Sequence, residues 1–453
     1  MTGAGVADLL EEVREEVTPT DAEREAMEQV AAELMAAART TIADLPIEAD
    51  VVQVGSTARG TWISGHRDID LFVRFPPSLD RDALERYGLT IGRDVLPEGR
   101  EEYAEHPYVT GQREGFDIDL VPCYRVEEAT AIQSAVDRTP FHTEYLDTRL
   151  NAELPGEIRV AKQFLTGIGA YGSDLRTRGF SGYLTELLVL EYGDMERFLQ
   201  AAAEWQPPVE LDPAGHGAAT FDDPLVVIDP TDPERNVAAV VSAANVARVQ
   251  HFARELLAEP DPAVFFPRPR TPLSPAGVRA AVHRRDTEPI AVHFDRPDVV
   301  DDQLYPQLRR SLSGLVRGLE NAGFSVLRAD TFAGDERAVL LVEPTVSQLP
   351  GVERHEGPPV HVPEHGRAFY EQYADDAVVG PFIDGERYVV ERERSMTTAA
   401  TFVDEQLTDV ALGTHVASAI EDDYTLLTGT GIATLAPRFG VPLAEYFDPT
   451  PRG

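Results

Sequence analysis

The stretch VVQVGSTARGTWISGHRDIDLFVRFP, residues 51–76, holds a Gly-Ser pair and, twelve residues after Ser56, two aspartates separated by one isoleucine. Residues 68–75, DIDLFVRF, are rich in β-formers and stop at Pro76-Pro77, which predicts a strand. Side chains on a strand alternate, so Asp68 and Asp70 share one face while Ile69 points into the core. Two carboxylates on one rigid strand make a hard-oxygen site, suited to magnesium held partly through phosphate oxygens. Clamping two such ions about 4 Å apart takes a third ligand. A second alternating segment, GFDIDLV at 115–121, supplies it: Phe116, Ile118 and Leu120 face one way, Asp117 and Asp119 the other. Periodicity leaves open which of the two aspartates is the ligand.

Upstream, a strand beginning at Asp50 ends at Gly55-Ser56, where a helix would start. Backbone N–H groups there, with the Ser56 hydroxyl, can take phosphate oxygens at close approach. Arg59, one turn later, offers a bidentate fork to the same phosphates. Each feature alone has a plainer meaning: Gly-Ser is usually a turn, and Asp-x-Asp is usually the solvated face of a strand. Their common spacing carries the argument.

The surrounding chain has 453 residues, enough for about two to four domains. With 43% hydrophobic and 26% charged residues it is globular rather than disordered. Its 78 Asp plus Glu against 40 Lys plus Arg give a formal charge of −38, and Lys162 is the single lysine. A dispersed carboxylate excess with almost no lysine resembles a cytoplasmic protein of a salt-in halophile. In molar salt the Debye length falls to about 3 Å and most of the self-repulsion is screened. The charge thus reports the solvent rather than a partner. No run of 18 apolar residues occurs and the N-terminus is acidic and amphipathic, so a soluble, cytoplasmic protein with no membrane partner is expected. The one cysteine, Cys123, forbids an internal disulfide and is assigned to the core behind the aspartate strand.

Helices are predicted over 5–17 and 20–43, with Thr20 as N-cap, and over 81–96. A turn is expected at Gly111, and the second aspartate strand should end before Pro122. The fold class is α+β and multidomain. A nucleotide-binding α/β domain over 1–140 precedes a helical central domain over 141–258, with long helices over 181–203 and 236–257. Proline-rich punctuation at 259–275 leads to an α+β domain over 270–453, in which 307–322 is helical and VVGPFIDGERYVVERE forms a hairpin.

Gly-Ser, Asp-x-Asp and a strand aspartate about fifty residues further on look like the nucleotidyltransferase signature of the DNA polymerase β superfamily. The segments DIDLVPCYRV (117–126), AVDRTPFHTEYL (135–146), RVAKQFLTGIGAYGSDLRTRGFSGYLTELL (159–188) and DPTDPERNVAA (229–239) are together similar to archaeal, class I CCA-adding enzymes, the tRNA nucleotidyltransferases. The Glu-Asp-x-x-Arg motif of the class II enzymes is not found. The resemblance implies Asp68, Asp70 and Asp119 as the catalytic, metal-binding triad, with Asp68 where the family commonly has glutamate. It implies Ser56 and Arg59 on the triphosphate, and His142, Lys162 and Tyr171 on the second wall of the nucleotide pocket. Arg235 and Glu105 would reach the incoming base or the tRNA end.

For this family the expected cofactor is Mg2+, the substrates are ATP, CTP and tRNA, and the assembly is a homodimer. The tRNA body would lie along the C-terminal domain, on Arg268, Arg270, Arg279, Arg284 and Arg285, with Arg310 and Arg317 seven apart on one helix. Rival readings are a poly(A) polymerase or small-molecule adenylyltransferase of the same superfamily, and an inactive RNA-binding scaffold. The last is disfavoured because all three carboxylates are present.

Overall fold

The computed structural model describes residues 5–103 and 105–450. They form two compact units, one reaching to Arg268 and one spanning Pro269–Thr450.

The first unit begins with helices α1 (Val6–Val17) and α2 (Asp21–Ala43). Thr20 caps α2 reciprocally: its hydroxyl accepts from Glu23 N–H at 3.2 Å, and the Glu23 carboxylate accepts from Thr20 N–H at 2.8 Å. A five-stranded sheet follows, in the order β1-β2-β5-β4-β3. Its strands are β1 (Asp50–Val54), β2 (Asp68–Phe75), β3 (Arg100–Tyr103), β4 (Pro107–Arg113) and β5 (Phe116–Tyr124). Only β2 and β5 run parallel; the other neighbours are antiparallel. Ile69, Leu71, Val73 and Phe75 of β2 and Ile118 and Leu120 of β5 pack one face on α2 and on α4 (Arg81–Val95). Burial of that face fixes the register, because a slip of one residue would send every apolar side chain to the wrong side. The opposite face carries the aspartates, then a small cluster of Val54, Phe72 and the buried Cys123.

Two expectations for β4 and β5 are corrected. The turn lies at Glu114-Gly115, with φ of 52° and 81°, not at Gly111, which sits inside β4 against Gly99. Pro122 does not end β5. It lies beyond the last β4 pair, Val109 with Leu120, so its missing N–H removes no ladder bond on that side.

The rest of this unit is a helical layer of α5 (Thr139–Asp147), α6 (Leu154–Gly167), α7 (Gly182–Tyr192), α8 (Met195–Ala203) and α9 (Ala243–Ala258). The long helix expected over 181–203 is broken in two. Gly193, at φ 93°, closes α7, and the Asp194 carboxylate caps α8 by accepting from Arg197 N–H at 2.7 Å. Nor does a helix begin at Asn236. Short strands β6 (Val209–Leu211), β7 (Leu225–Asp229) and β8 (Asp232–Asn236) form a small sheet, and α9 starts only after its N-cap, Ser242. Helix α1, although it precedes the large sheet in sequence, packs Leu9, Leu10 and Val13 into the helical core with Phe164 and Phe198.

The second unit has an antiparallel sheet in the order β10-β11-β9-β15 and a smaller one in the order β12-β14-β13. Its elements are α10 (Pro275–Arg285), β9 (Ile290–Asp295), α11 (Asp301–Asn321), β10 (Val326–Ala333), β11 (Arg337–Pro344), β12 (Val352–Pro359), α12 (Pro363–Tyr373), β13 (Val379–Asp384), β14 (Arg387–Glu393), α13 (Ala399–Gln406), α14 (Thr414–Asp422), β15 (Tyr424–Thr428) and α15 (Ala436–Phe447). The expected hairpin is β13–β14, turning at Gly385 with φ 61°.

Asn236 is the polar staple of the small sheet. Its carbonyl accepts from Val227 and Ala238 N–H, both at 2.9 Å, and its amide donates to the Leu225 carbonyl at 3.0 Å. Replacement by alanine leaves three buried backbone groups unpaired. Asn236→Ala is expected to cost about 2–3 kcal/mol, seen as a lower thermal midpoint in molar KCl.

Candidate active site

The parallel register sets Asp68 opposite Asp117 and Asp70 opposite Asp119, so four carboxylates share one sheet face. They are not equivalent. Asp117 is exposed and accepts from the Gln112 amide at 2.7 Å, whereas Asp119 lies deeper, beside Asp70. Burial pushes the Asp119 carboxyl up, opposed by a hydrogen bond from Thr110, with Asp68 and Asp117 adding to the rise. Asp70 is pushed up to about 6, by burial first and then by the charges of Asp119 and Asp68, while Arg59 pulls the other way. Like charges held together out of water call for a counter-ion.

Among the described residues, no three His, Cys, Asp or Glu side chains form a ready-made metal cage. The donor chemistry nevertheless fits a hard divalent cation. It is all carboxylate oxygen, and the excess negative charge centres on Asp70. Gly55 completes the fit. It opens α3 (Gly55–Ala58) at φ 76°, and a Cβ there would overlap Oδ2 of Asp70. Ser56 follows, half-buried, with its carbonyl accepting from Thr61 N–H at 2.9 Å.

Facing this turn is a buried ionic cluster. Arg59 donates through Nε to Glu186 Oε2 at 2.9 Å and through Nη1 to Thr143 at 3.0 Å. Lys162 Nζ donates to Glu186 Oε1 at 2.8 Å, and to the carbonyl and hydroxyl of Thr61 at 3.2 Å each. Glu186 on α7 is wholly buried. Burial would raise its carboxyl, but the Lys162 and Arg59 charges and the hydrogen bonds from Lys162 and Thr61 hold it below the usual range. The Tyr171 phenol is pushed up to about 12 by burial, then by Glu186 and Asp68, so it stays a neutral donor within the field of both clusters.

His142 belongs to a second buried group. Its Nε2 lies 2.8 Å from Asp229 Oδ2, which also accepts from Arg235 Nη1 at 2.7 Å. The imidazole stacks on Tyr183 with ring centroids 3.8 Å apart. Burial would raise the Asp229 carboxyl, but His142 and hydrogen bonds from Thr231 hold it well below the ordinary carboxylate range. Sequence reasoning missed Glu186 and Asp229. Their signal was an acid inside an apolar run, YLTELLVLEY and PLVVIDP, where a charge survives only with partners.

The remaining expected residues are dispersed. Glu105 is exposed in the β3–β4 turn, where its carbonyl accepts from Arg81 at 2.6 Å. Arg268, Arg279 and Arg284 are exposed, and so are Arg310 and Arg317 on α11. Arg285 is committed elsewhere, forking onto the buried Glu343 at 2.8 and 2.9 Å. Arg270 donates to the Ala444 carbonyl at 3.2 Å and the Thr450 hydroxyl at 3.0 Å. A cavity of about 400 Å³ opens farther along the aspartate face of the sheet, lined by Val52, Arg74, Phe141 and Asp147, and does not include the carboxylates.

Paired strand carboxylates beneath a Gly-Ser turn, opposite a wall of buried cations, define the class of nucleotidyltransferases. The nucleotidyltransferase domain model matches residues 37–142, that of the tRNA nucleotidyltransferase second domain 156–266, and that of the CCA-adding enzyme C-terminal domain 285–429. The chain is 61% identical to a CCA-adding enzyme of Haloarcula marismortui, over 97% of this chain and 98% of the relative. It is 58% identical to that of Halorubrum lacusprofundi, over 98% and 99%, and 39% identical to that of Methanosarcina acetivorans, over 97% and 98%. This chain belongs to the family of CCA-adding enzymes. It is thus a nucleotidyltransferase whose class works on nucleoside triphosphates with a divalent metal. Among the described residues no helix is long and apolar enough to cross a membrane.

Two outcomes test the geometry. Gly55→Ala is expected to keep the fold, read by circular dichroism, and to lower nucleotide incorporation by on the order of 100-fold through displacement of Asp70. Protons compete with metal at Asp70, so divalent-metal affinity, measured by calorimetry, is expected to be level above pH 7. Below about pH 6 it should fall by roughly tenfold per pH unit, as the carboxylate takes up its proton.

Proposed function

We propose that this chain builds and repairs the 3′-terminal CCA of tRNA without a template, transferring nucleotides from CTP and ATP to the tRNA 3′-hydroxyl with release of pyrophosphate. The observation that carries this reading is the in-register pairing of Asp70 with Asp119 beneath Gly55, in a chain of the CCA-adding family. Asp68, Asp70 and Asp119 would hold Mg2+, which when bound acidifies the attacking hydroxyl and neutralises the departing pyrophosphate. Ser56 and Arg59 meet the triphosphate, and Lys162, whose three donors are held by Glu186 and Thr61, adds its desolvated charge to the same wall. Tyr171 donates from its neutral hydroxyl, while His142 and Arg235, clamped by Asp229, present a flat, rigid edge to the ribose and base.

Residues 1–140, 141–258 and 270–453 serve as catalytic, pocket-completing and tRNA-binding domains. Arg268, Arg279 and Arg284 are the exposed cations offered to the tRNA body, with Glu105 near its end. Arg270 and Arg285 support the fold through their internal partners. The protein works in the cytoplasm at high salt, as a homodimer.

The test is incubation in molar KCl and magnesium with tRNA transcripts lacking one, two or three terminal nucleotides, with labelled CTP and ATP separately and together. Three additions ending in A, abolished by Asp70→Ala, are expected. Long A tails would make the chain a poly(A) polymerase instead, and binding without incorporation would make it a scaffold.

A further inference from the structure

Glu186 is an anomaly of the helical layer: a carboxylate with no exposed surface, on a helix whose neighbouring side chains Leu184, Leu187, Leu188 and Val189 are all core. An ionised acid persists there only if its partners are fixed. Those partners come from two other segments. Arg59 and Thr61 lie just after the Gly55-Ser56 turn, and Lys162 lies on α6. One oxygen of Glu186 takes Arg59 and the other takes Lys162, so a single carboxylate holds two cations that would otherwise repel each other.

The donor inventory sharpens the point. All three N–H groups of Lys162 have acceptors within the cluster, Glu186 and Thr61. Arg59 gives Nε and Nη2 to Glu186 Oε2 and one Nη1 donor to Thr143, which leaves two of its five guanidinium N–H groups uncommitted. Arg59 also feels Asp70, whose ionisation it favours. Without Glu186 the negative charges left for Arg59 include Asp147 and Asp70 of the aspartate face, both of whose carboxylates it already stabilises, and collapse onto the aspartate face would take the guanidinium away from a phosphate.

We propose that Glu186 is the positioning residue of the triphosphate wall. It keeps Arg59 and Lys162 as one oriented pair and keeps Arg59 off Asp70, without touching the nucleotide. The proposal rests on the reading of this wall as the triphosphate site.

The test is a double-mutant cycle with Glu186→Gln, Lys162→Met and the combined variant, read by equilibrium binding of CTP, by KM for CTP and for tRNA, and by thermal midpoint. Glu186→Gln is expected to weaken CTP binding by tenfold or more, with the KM for tRNA unchanged. In the Lys162→Met background the same change is expected to weaken CTP binding several-fold further, because Arg59 is still released. If Glu186→Gln lowers the midpoint but leaves CTP binding as in the wild type, the residue is a structural counter-ion and the proposal falls. It falls equally if the change has no effect in the Lys162→Met background. If Glu186→Gln does not fold, the combined variant, with the same cluster charge as the wild type, is compared with Lys162→Met alone. A wild-type protein that does not bind CTP would instead overturn the reading of the wall itself.

Discussion

The parallel pairing of β2 with β5 is the constraint on which the site depends. Every other neighbour pair in the five-stranded sheet is antiparallel, and this one alone sets two Asp-x-Asp segments side by side in matching phase. Burial of Ile69, Leu71, Ile118 and Leu120 on the far face holds that phase. The core therefore enforces a charge arrangement that would be unfavourable alone, with Asp70 and Asp119 adjacent and partly shielded from water. Gly55 shapes the space above Asp70, since any side chain there would occupy the volume of its carboxylate.

The cations opposite are held by a matching device. In a chain of net charge −38, a free arginine near the active face has many carboxylates to choose from. Glu186 and Asp229 remove the choice, because each is buried and each binds two basic side chains. Buried ion pairs contribute little net stability once desolvation is counted, whereas losing one partner is costly. Their clearer consequence here is orientation. Arg59 and Lys162 are bound to one acid and His142 and Arg235 to the other, so each group is held in a fixed orientation.

Most of the two aspartate strands was legible, because period-2 alternation shows directly in DIDLFVRF and FDIDLV. Periodicity does not distinguish Asp119 from Asp117, since both point the same way; they differ in depth in the sheet, and depth is a tertiary property. The break at Gly193-Asp194 carried a local signal, a left-handed closure followed by a capping acid, overridden by the apolar run on either side. The small sheet of β6, β7 and β8 was hidden for the opposite reason. Strands of three to five residues are too short to show a period, and the side-chain bonds of Asn236 that tie them together are invisible in one dimension. Arg285 resembled the exposed arginines around it, and only its fork onto Glu343 distinguishes it.

The single lysine can now be understood in terms of the shape of its niche rather than of the solvent. Whatever restricts lysine on the surface of this protein does not act on Lys162, which has almost no surface. Around its ammonium stand three acceptors, Glu186 Oε1 and the carbonyl and hydroxyl of Thr61, matching three N–H donors about a point. A planar guanidinium carries five donors in a fixed fork and would leave some of them buried without partners, or push Glu186 away from Arg59. Arginine can replace lysine across a hydrated surface because water supplies the missing acceptors. In a closed cluster the count of donors and acceptors decides, and there only the ammonium balances it.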